Sequence, residues 1–401
     1  MINSEYNTSK PLKIAFLTSF DPLDRRSWSG TVYYLAQSLQ QHCGEVAFLG
    51  PMNIWEKYLG KVINQITLRL LKKRYSYNHS FLLAKKYAKV AKRKLAGHKY
   101  DVIITVAGAA EISFLQTDIP IVLIEDATFA ILQNYYPQYS DLLKRSAYET
   151  DATEAMAIQK SALGIYSSEW AARSAIDIYG AEKSKIHVIP YGANLDSPPA
   201  QEVVLSKKRT EVCRLLFLAV DWERKGGAIA FETLQRLEQM GVEAELTVCG
   251  CVPPAQFSHP NMKVIPFLNK NDEEQRKRFE DLLLQSHFLL LPTRGDCTPI
   301  AFCEASAYGL PVITTNTGGV SGVITDGENG YMLPLSASGD AYAEVIADIY
   351  QDEQRYTTLV QSSRAAYEER LNWDAWGTAM HQLLTKLVYG DERYAGDIAR
   401  V

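Results

Sequence analysis

A chain of 401 residues is too long for one ordinary hydrophobic core and suits two domains of roughly 150–200 residues each. With 47% hydrophobic and 22% charged residues it has the make-up of a soluble globular protein, and its net charge is −4. No run approaches the ~18–20 apolar residues that cross a bilayer, and the polar opening MINSEYNTSKPLK holds no apolar signal region, which sets a cytoplasmic protein as the expectation.

In chain order, Lys13 to Ser19 reads as a short, buried, β-rich strand. The polar loop Phe20 to Ser29 and the turn Ser29-Gly30-Thr31 lead into an apolar-periodic helix from Val32 to about His42. Strand, glycine turn and helix N-terminus make an anion-friendly junction, though the spacing is not GxGxxG, and Gly30 taken alone reads as a plain turn residue. Glu45 to Leu49 is the next strand. From Lys61 to Lys99 there follow twelve Lys or Arg and no Asp or Glu, on one or two helices. Leu70, Leu71, Phe81, Leu82, Leu83, Tyr87 and Val90 interleave with these charges and can form an amphipathic surface. A solvated helix face, an anionic lipid or phosphorylated acceptor (at ~1 kcal/mol per cation near a charged membrane) and nucleic acid all compete for this stretch. No recognised nucleic-acid motif accompanies the charge, so the preferred reading is peripheral contact with an anionic membrane surface, with no nucleic-acid partner.

Asp101 to Val106 and Ile121 to Ile124 are further buried strands. Strands alternating with helices at this spacing predict a parallel, doubly wound sheet with ligands at the strands' carboxyl ends. That rule points to Ala107-Gly108 and to Glu125-Asp126-Ala127-Thr128. Asp126 there either meets a ligand or caps the helix that follows. Leu163 to Ser168, a helix over Glu169 to Tyr179, and Lys185 to Leu195 close the first domain. Asp196 to Thr210, rich in Ser, Pro and charge, reads as an interdomain linker.

The second domain opens with the strand Arg214 to Ala219 and the loop Val220-Asp221-Trp222-Glu223-Arg224-Lys225-Gly226-Gly227, followed by a helix over Ala228 to Met240. Two adjacent cations at a strand's carboxyl end, with glycines that admit close backbone approach, suit a diphosphate; each contact is worth up to ~4 kcal/mol gross at 4 Å. Read alone, the Arg-Lys pair is a solvated loop. Glu245 to Cys249 and Val264 to Pro266 continue the sheet. Phe288 to Leu291 is a buried strand, and the loop Pro292 to Pro299 carries it into an amphipathic segment, Ile300 to Tyr308, closed by Gly309. The N–H groups and helix dipole there favour a phosphate. Asp296 before this helix and Glu304 one turn inside it are carboxylates suited to paired sugar hydroxyls.

These pieces resemble the retaining glycosyltransferases of family 4, whose signature is Glu, seven residues, Glu. Asp296 stands at the first acidic position and Glu304 at the second, so Asp for Glu is a departure. Gly309-Leu310-Pro311-Val312-Ile313, Thr317-Gly318-Gly319-Val320 and Asp326-Gly327-Glu328-Asn329-Gly330 match the segments that follow the pair. Lys225 matches the family's lysine directly before glycine. Arg224 sits beside it, whereas the family's arginine lies several residues earlier, where this chain has Val220. Gly30 and Thr31 match the family's N-terminal glycine turn, which approaches the phosphates or the acceptor. Asp126 stands near the place of a histidine that many members carry, and none of this chain's seven histidines falls there. Leu268, in the loop Phe267 to Lys270, occupies the place of backbone contacts to the nucleobase.

The resemblance implies an α/β chain of GT-B architecture, two Rossmann-like doubly wound domains facing a central cleft. It assigns 1–196 to the acceptor domain, 197–372 to the donor domain and 373–401 to a helix crossing back. It implies a retaining, metal-independent hexosyltransferase that needs no cofactor beyond its nucleotide-diphosphate sugar and moves the sugar to a hydroxyl of a lipid or glycan. Glu304 would hold the ribose and Asp296 the sugar. Arg224, Lys225 and the helix start at Thr298, Pro299, Ile300 and Ala301 would stabilise the departing diphosphate. Two rivals stay open: a silent GT-B scaffold, kept alive by Asp296 and the missing histidine, and a nucleotide-sugar epimerase, which the Arg-Lys-Gly loop counts against. The six cysteines, Cys43, Cys213, Cys249, Cys251, Cys297 and Cys303, show no C-x-x-C spacing and read as packing residues.

Overall fold

A computed structural model describes residues 11–390, which divide into two compact units. The first holds residues 11–165, Ser174–His187 and 377–390; the second holds Tyr166–Arg173 and Val188–Trp376.

The first sheet is built from β1 (Leu12–Phe16), β2 (Gly44–Phe48), β3 (Val102–Val106), β4 (Ile121–Glu125), β5 (Leu163–Tyr166) and β6 (Ile186–Val188), in the order β2-β1-β3-β4-β5-β6. β1 pairs in parallel with β2 and β3, and β3 with β4. Every residue of β3 and β4 is buried, as expected where helices cover both faces of a parallel sheet. Helices α1 (Thr31–His42), α2 (Glu56–Leu71), α3 (Phe81–Leu95), α4 (Ala109–Ile112), α5 (Phe129–Leu132), α6 (Lys144–Lys160) and α7 (Glu169–Asp177) fill the connections. The basic stretch thus forms two helices. Its apolar residues do not share one exposed face: Leu83 and Tyr87 are core residues and Phe81 and Val90 are half-buried, while Leu70, Leu71 and Leu82 are exposed. The side of α3 bearing Leu83, Tyr87 and Ala91 is buried in the fold, so it is unavailable to any partner.

In the second unit, α8 (Gln201–Leu205) precedes β7 (Cys213–Leu218), α9 (Gly227–Gln239), β8 (Ala244–Cys249), β9 (Met262–Ile265), α10 (Glu273–Gln285) and β10 (Phe288–Leu291). Then come α11 (Ile300–Ala307), β11 (Val312–Thr315), β12 (Gly330–Leu333), α12 (Gly339–Gln351) and α13 (Glu353–Glu369). A last helix, α14 (Trp373–Tyr389), has its first residues in the second unit and continues in the first from Gly377. The sheet order β12-β11-β10-β7-β8-β9 is parallel throughout. Numbered within the unit it runs 6-5-4-1-2-3, the order of dinucleotide-binding sheets, and it reverses direction between β7 and β10. All four residues of β10 are buried. Asp272 and Asp352 cap α10 and α13, their carboxylates accepting from the N–H groups of Gln275 and Arg355 at 3.0 Å.

The stretch read as a linker is not free chain. It contains α8, whose Val204 is fully buried, and Pro199 accepts a hydrogen bond from Arg364 Nη1 at 2.9 Å. One apolar anchor in a polar, proline-rich segment suffices to dock it on the second unit. Among the described residues no helix is long and apolar enough to cross a membrane. Five of the six cysteines are buried, Cys251 partly, and burial pushes the thiols of Cys43 and Cys303 up to about 12, consistent with packing rather than reactivity.

Candidate functional site

The candidate donor site follows from the strand order. β7 and β10 are neighbours at the point of reversal, so the loops leaving their carboxyl ends open side by side. The loop after β7 carries Arg224 and Lys225; the loop after β10 carries Asp296. Seventy-odd positions separate them in sequence, and the sheet removes that distance.

Each loop is fixed from within. Asp221 Oδ1 accepts from Arg224 N–H at 3.0 Å, the side-chain turn that favours Asp in such positions. Trp222, buried against Phe217 and Phe257 with ring centroids 5.3 and 5.2 Å away, pins the loop to the core. Gly226 adopts φ +75°, and a Cβ there would lie 2.0 Å from the carbonyl oxygen of Pro292, so the two loops touch backbone to backbone where only glycine fits. Arg294 N–H donates to Arg224 O at 2.7 Å and ties them again. On the second loop the buried Thr293 hydroxyl lies 3.2 Å from Gly295 O and 3.4 Å from Asp296 Oδ2.

Lys225 Nζ donates to Asp296 Oδ2, and Arg224 Nη1 stands 4.0 Å from Asp296 Oδ1 while donating to Gly295 O at 3.0 Å. The Lys225 and Asp296 side chains are 12% and 9% exposed, so this ion pair is largely withdrawn from water. Arg224 Nε also stands 3.7 Å from Asp221 Oδ2, so two cations and two carboxylates meet at the end of the strand pair, and the two cations are the groups there that suit a polyphosphate.

Asp296 is followed by the turn into α11. Pro299 takes the N-cap position and Gly309, at φ +54°, lies just past the helix end, as the sequence predicts. The first N–H groups of the helix, at Ile300 and Ala301, have no acceptor within the helix itself. Thr298 Oγ1 shares a short hydrogen bond with Ser167 Oγ. Glu304, in the second turn, is 3% exposed, and its Oε1 accepts from Lys270 Nζ at 2.5 Å. Burial raises its pKa and Lys270 opposes the rise. Lys270 Nζ also lies 4.2 Å from the centroid of the Phe279 ring. Leu268 is buried in the core of the unit, two residues before that lysine.

The second unit therefore brings together Arg224, Lys225 and Asp296, and places Glu304 in the helix that follows. Gly30, Thr31 and Asp126 belong to the first unit. Gly30 is the N-cap of α1 at φ +90° and Thr31 is buried. Trp28 and Ser29 precede it at φ +50° and +57°, so three successive residues are left-handed, two of them at the expense that non-glycine residues meet there. Asp126 follows β4, two residues before Thr128, the N-cap of α5. Beside it Glu125 is buried, and burial, then Glu154 and Asp126, raise its pKa well above the usual carboxylate range. Sequence reasoning left three participants unassigned: Lys270, Thr293 and Ser167. A lysine 34 positions from its carboxylate carries no periodic signal, and the two hydroxyl residues look like ordinary strand-end residues.

The profile described as Glycosyltransferase Family 4 matches residues 30–197, and that described as Glycosyl transferases group 1 matches residues 213–352. A D-inositol 3-phosphate glycosyltransferase from Xylanimonas cellulosilytica is 25% identical over 232 residues, 52% of this chain and 53% of that protein, so the chain spans about half the length of this relative. Among solved structures, sucrose-phosphate synthase from Thermosynechococcus elongatus superposes with a TM-score of 0.65 at 16% identity, covering 96% of this chain and all of that one. HepE from Anabaena, solved in complex with UDP, gives 0.61 at 16% identity over 94% of this chain and 100% of its own. At such identities the structural likeness speaks to the fold, which is GT-B. With one profile over the second sheet, another over the first sheet from β2 onward, and the doubly wound architecture of each, the chain belongs to the glycosyl transferases of group 1, family 4.

Proposed function

We propose that this chain transfers a hexosyl group from a nucleoside-diphosphate sugar to a hydroxyl of a lipid or glycan acceptor, with retention of anomeric configuration and without a metal. The observation that carries this reading is the Arg224–Lys225–Asp296 cluster at the point where the second sheet reverses, at the mouth of the loop leading to α11. In the reaction the bond between the anomeric carbon and the β-phosphate oxygen breaks, and the acceptor oxygen bonds to the same carbon from the same side. The acceptor's proton passes to the β-phosphate, and the nucleoside diphosphate leaves. Negative charge grows on that phosphate, so the fixed charges of Arg224 and Lys225 and the first N–H groups of α11 act on the transition state more than on the bound donor. Glu304 is assigned to the ribose hydroxyls and Asp296 to the sugar; Gly30, Thr31 and Asp126 are assigned to substrate on the first unit. The cations occupy the role that a divalent ion would otherwise fill.

A thermal-shift screen of UDP, GDP, ADP and their sugars against the wild type and Glu304→Ala tests the reading. A donor held at ~100 times its dissociation constant stabilises the fold by about 2.7 kcal/mol, and Glu304→Ala loses that gain. No response to any nucleotide would replace the enzyme with a silent scaffold. Turnover in EDTA and the anomeric signal of the product test metal independence and retention separately.

A further inference from the structure

Helix α2 is mounted with its apolar face outward. Tyr58, Leu59, Val62, Ile63, Ile66 and Leu70 recur at helical spacing and share an arc of about 140°. In an ordinary surface helix that arc faces the core. Here its members are exposed, from 45% at Ile63 to 76% at Leu70, and Trp55, one residue before the helix, is exposed on the same side. The opposite face carries Glu56, Gly60 and Asn64, whose contacts hold the helix in this rotation. Glu56 is paired with Lys86 at 2.8 Å, and Asn64 Oδ1 accepts from Tyr75 N–H at 2.8 Å. Gly60 lies so close to Tyr77 that a Cβ would come within 2.5 Å of that side chain. Turning the apolar arc inward would break all three contacts.

The charge along α2 and α3 is almost all of one sign, and Asp141, paired with Lys73 at 3.4 Å just past the end of α2, is an acid beside it. Lys61, Arg69, Lys72, Lys85, Lys89 and Lys92 are exposed on α2, at its end and on the neighbouring α3. The one acid between Trp55 and Lys99 is Glu56, which is buried in its pair with Lys86. We propose that α2 is an interfacial anchor that lies flat in the headgroup region of an anionic bilayer, with its apolar arc in the acyl boundary and the flanking cations on lipid phosphates. An exposed apolar stripe flanked by cations, with Trp and Tyr at one end, is the pattern such helices need. At 16 residues α2 is long enough to lie in the interface and too short to cross. Charge argues against a second copy as the occupant, because a symmetric pairing would set this basic surface against itself. Docking here requires nothing of the donor site, so a failed transfer assay leaves it standing.

Co-sedimentation of the full chain with vesicles tests it. Wild type is expected to sediment with equal parts phosphatidylglycerol and phosphatidylcholine at low salt, and at least about tenfold less with phosphatidylcholine alone. Val62→Ser/Ile66→Ser/Leu70→Ser alters exposed side chains and leaves the anchoring face intact, so its melting point stays at the wild-type value while vesicle binding falls at least about tenfold. Lys61→Gln/Arg69→Gln/Lys89→Gln lowers anionic binding by about fivefold per cation. The proposal is overturned if wild type stays in solution at low salt, if the serine variant binds as wild type does, or if neutral vesicles bind equally well. It is overturned too if light scattering shows a dimer that the serine variant disperses, which would make a second copy the occupant.

Discussion

The sharpest test of the donor site is to remove Lys225 and then to remove the charge it neutralises. Lys225→Ala takes the ammonium away from the Asp296 carboxylate, whose side chain is 9% exposed, while Arg224 at 4.0 Å and the Thr293 hydroxyl at 3.4 Å stay beside it. Breaking a buried pair from one side costs about 3–5 kcal/mol where the charge left behind is uncompensated, and Arg224 at 4.0 Å sets this case at the lower end. For a unit of this size each kcal/mol moves the melting point by about 2–4 °C, so Lys225→Ala should melt roughly 10 °C below wild type. Asp296→Asn in the same background removes the stranded charge while keeping the shape, and melting should return most of the way. Transfer should not return, because the cation proposed to face the leaving phosphate is still missing; a loss of about 10²–10³ in kcat is the scale for one such group. The assay pairs thermal melting with release of nucleoside diphosphate across the four members of the cycle. Two outcomes would refute the reasoning. If Lys225→Ala melts like wild type, the ion pair is not a buried one. If the double variant recovers transfer along with stability, Lys225 serves the fold and not the reaction.

Gly226→Ala should destabilise by more than about 2 kcal/mol and weaken nucleotide binding, because its Cβ meets the Pro292 carbonyl at 2.0 Å and must push the two donor-site loops apart. Gly327→Ala is the control: φ is +79° but nothing lies within 4 Å, so only the left-handed strain of about 1 kcal/mol applies, and equal melting shifts in the two variants would defeat the steric argument. Glu154 is buried, and burial, then Asp151, push its pKa up from 4.5 to about 8. The native state then keeps a proton that the unfolded chain has lost between those values, so the Glu154 contribution to stability declines as pH rises from about 4.5 to about 8, by at most about 5 kcal/mol. Glu154→Gln cannot titrate, so its melting point relative to wild type should climb from pH 5 to pH 8; a constant difference would show that Glu154 is ionised throughout.

How much of this was legible depended on whether a signal was local. The apolar runs at Phe288–Leu291 and Val102–Val106 are buried strands because a parallel sheet covered on both faces leaves no polar alternation, and four or five consecutive apolar residues say so directly. The loop residues Arg224, Lys225 and Asp296 were legible as candidates for a related reason: each follows such a run, and the carboxyl ends of strands are where ligands sit. Their convergence was not legible from spacing, since it requires knowing that β7 and β10 are neighbours while β8 and β9 lie on the other side. The partnership of Lys270 with Glu304 belongs to the same class, as does the anchoring of the supposed linker through Val204. These are pairings between distant segments, and one chain read alone carries no trace of them.

The basic stretch fails differently, and the failure is instructive about periodicity itself. A period of 3.6 shows that a helix has two unlike faces, but not which of them the fold will take. The default that the apolar face goes inward holds for α3, where Leu83, Tyr87 and Ala91 join the core and so withdraw from the surface on which the sequence reading had placed Leu83 and Tyr87. It does not hold for α2. There the inward positions are Glu56, Gly60 and Asn64, each with a specific partner, and the hydrophobic free energy of the outer arc is left unspent by the fold. A soluble chain rarely leaves a contiguous apolar surface uncovered without a use for it. Polar inner contacts that lock the helix in this rotation argue that the exposure is built in, because a helix exposed by accident would turn over.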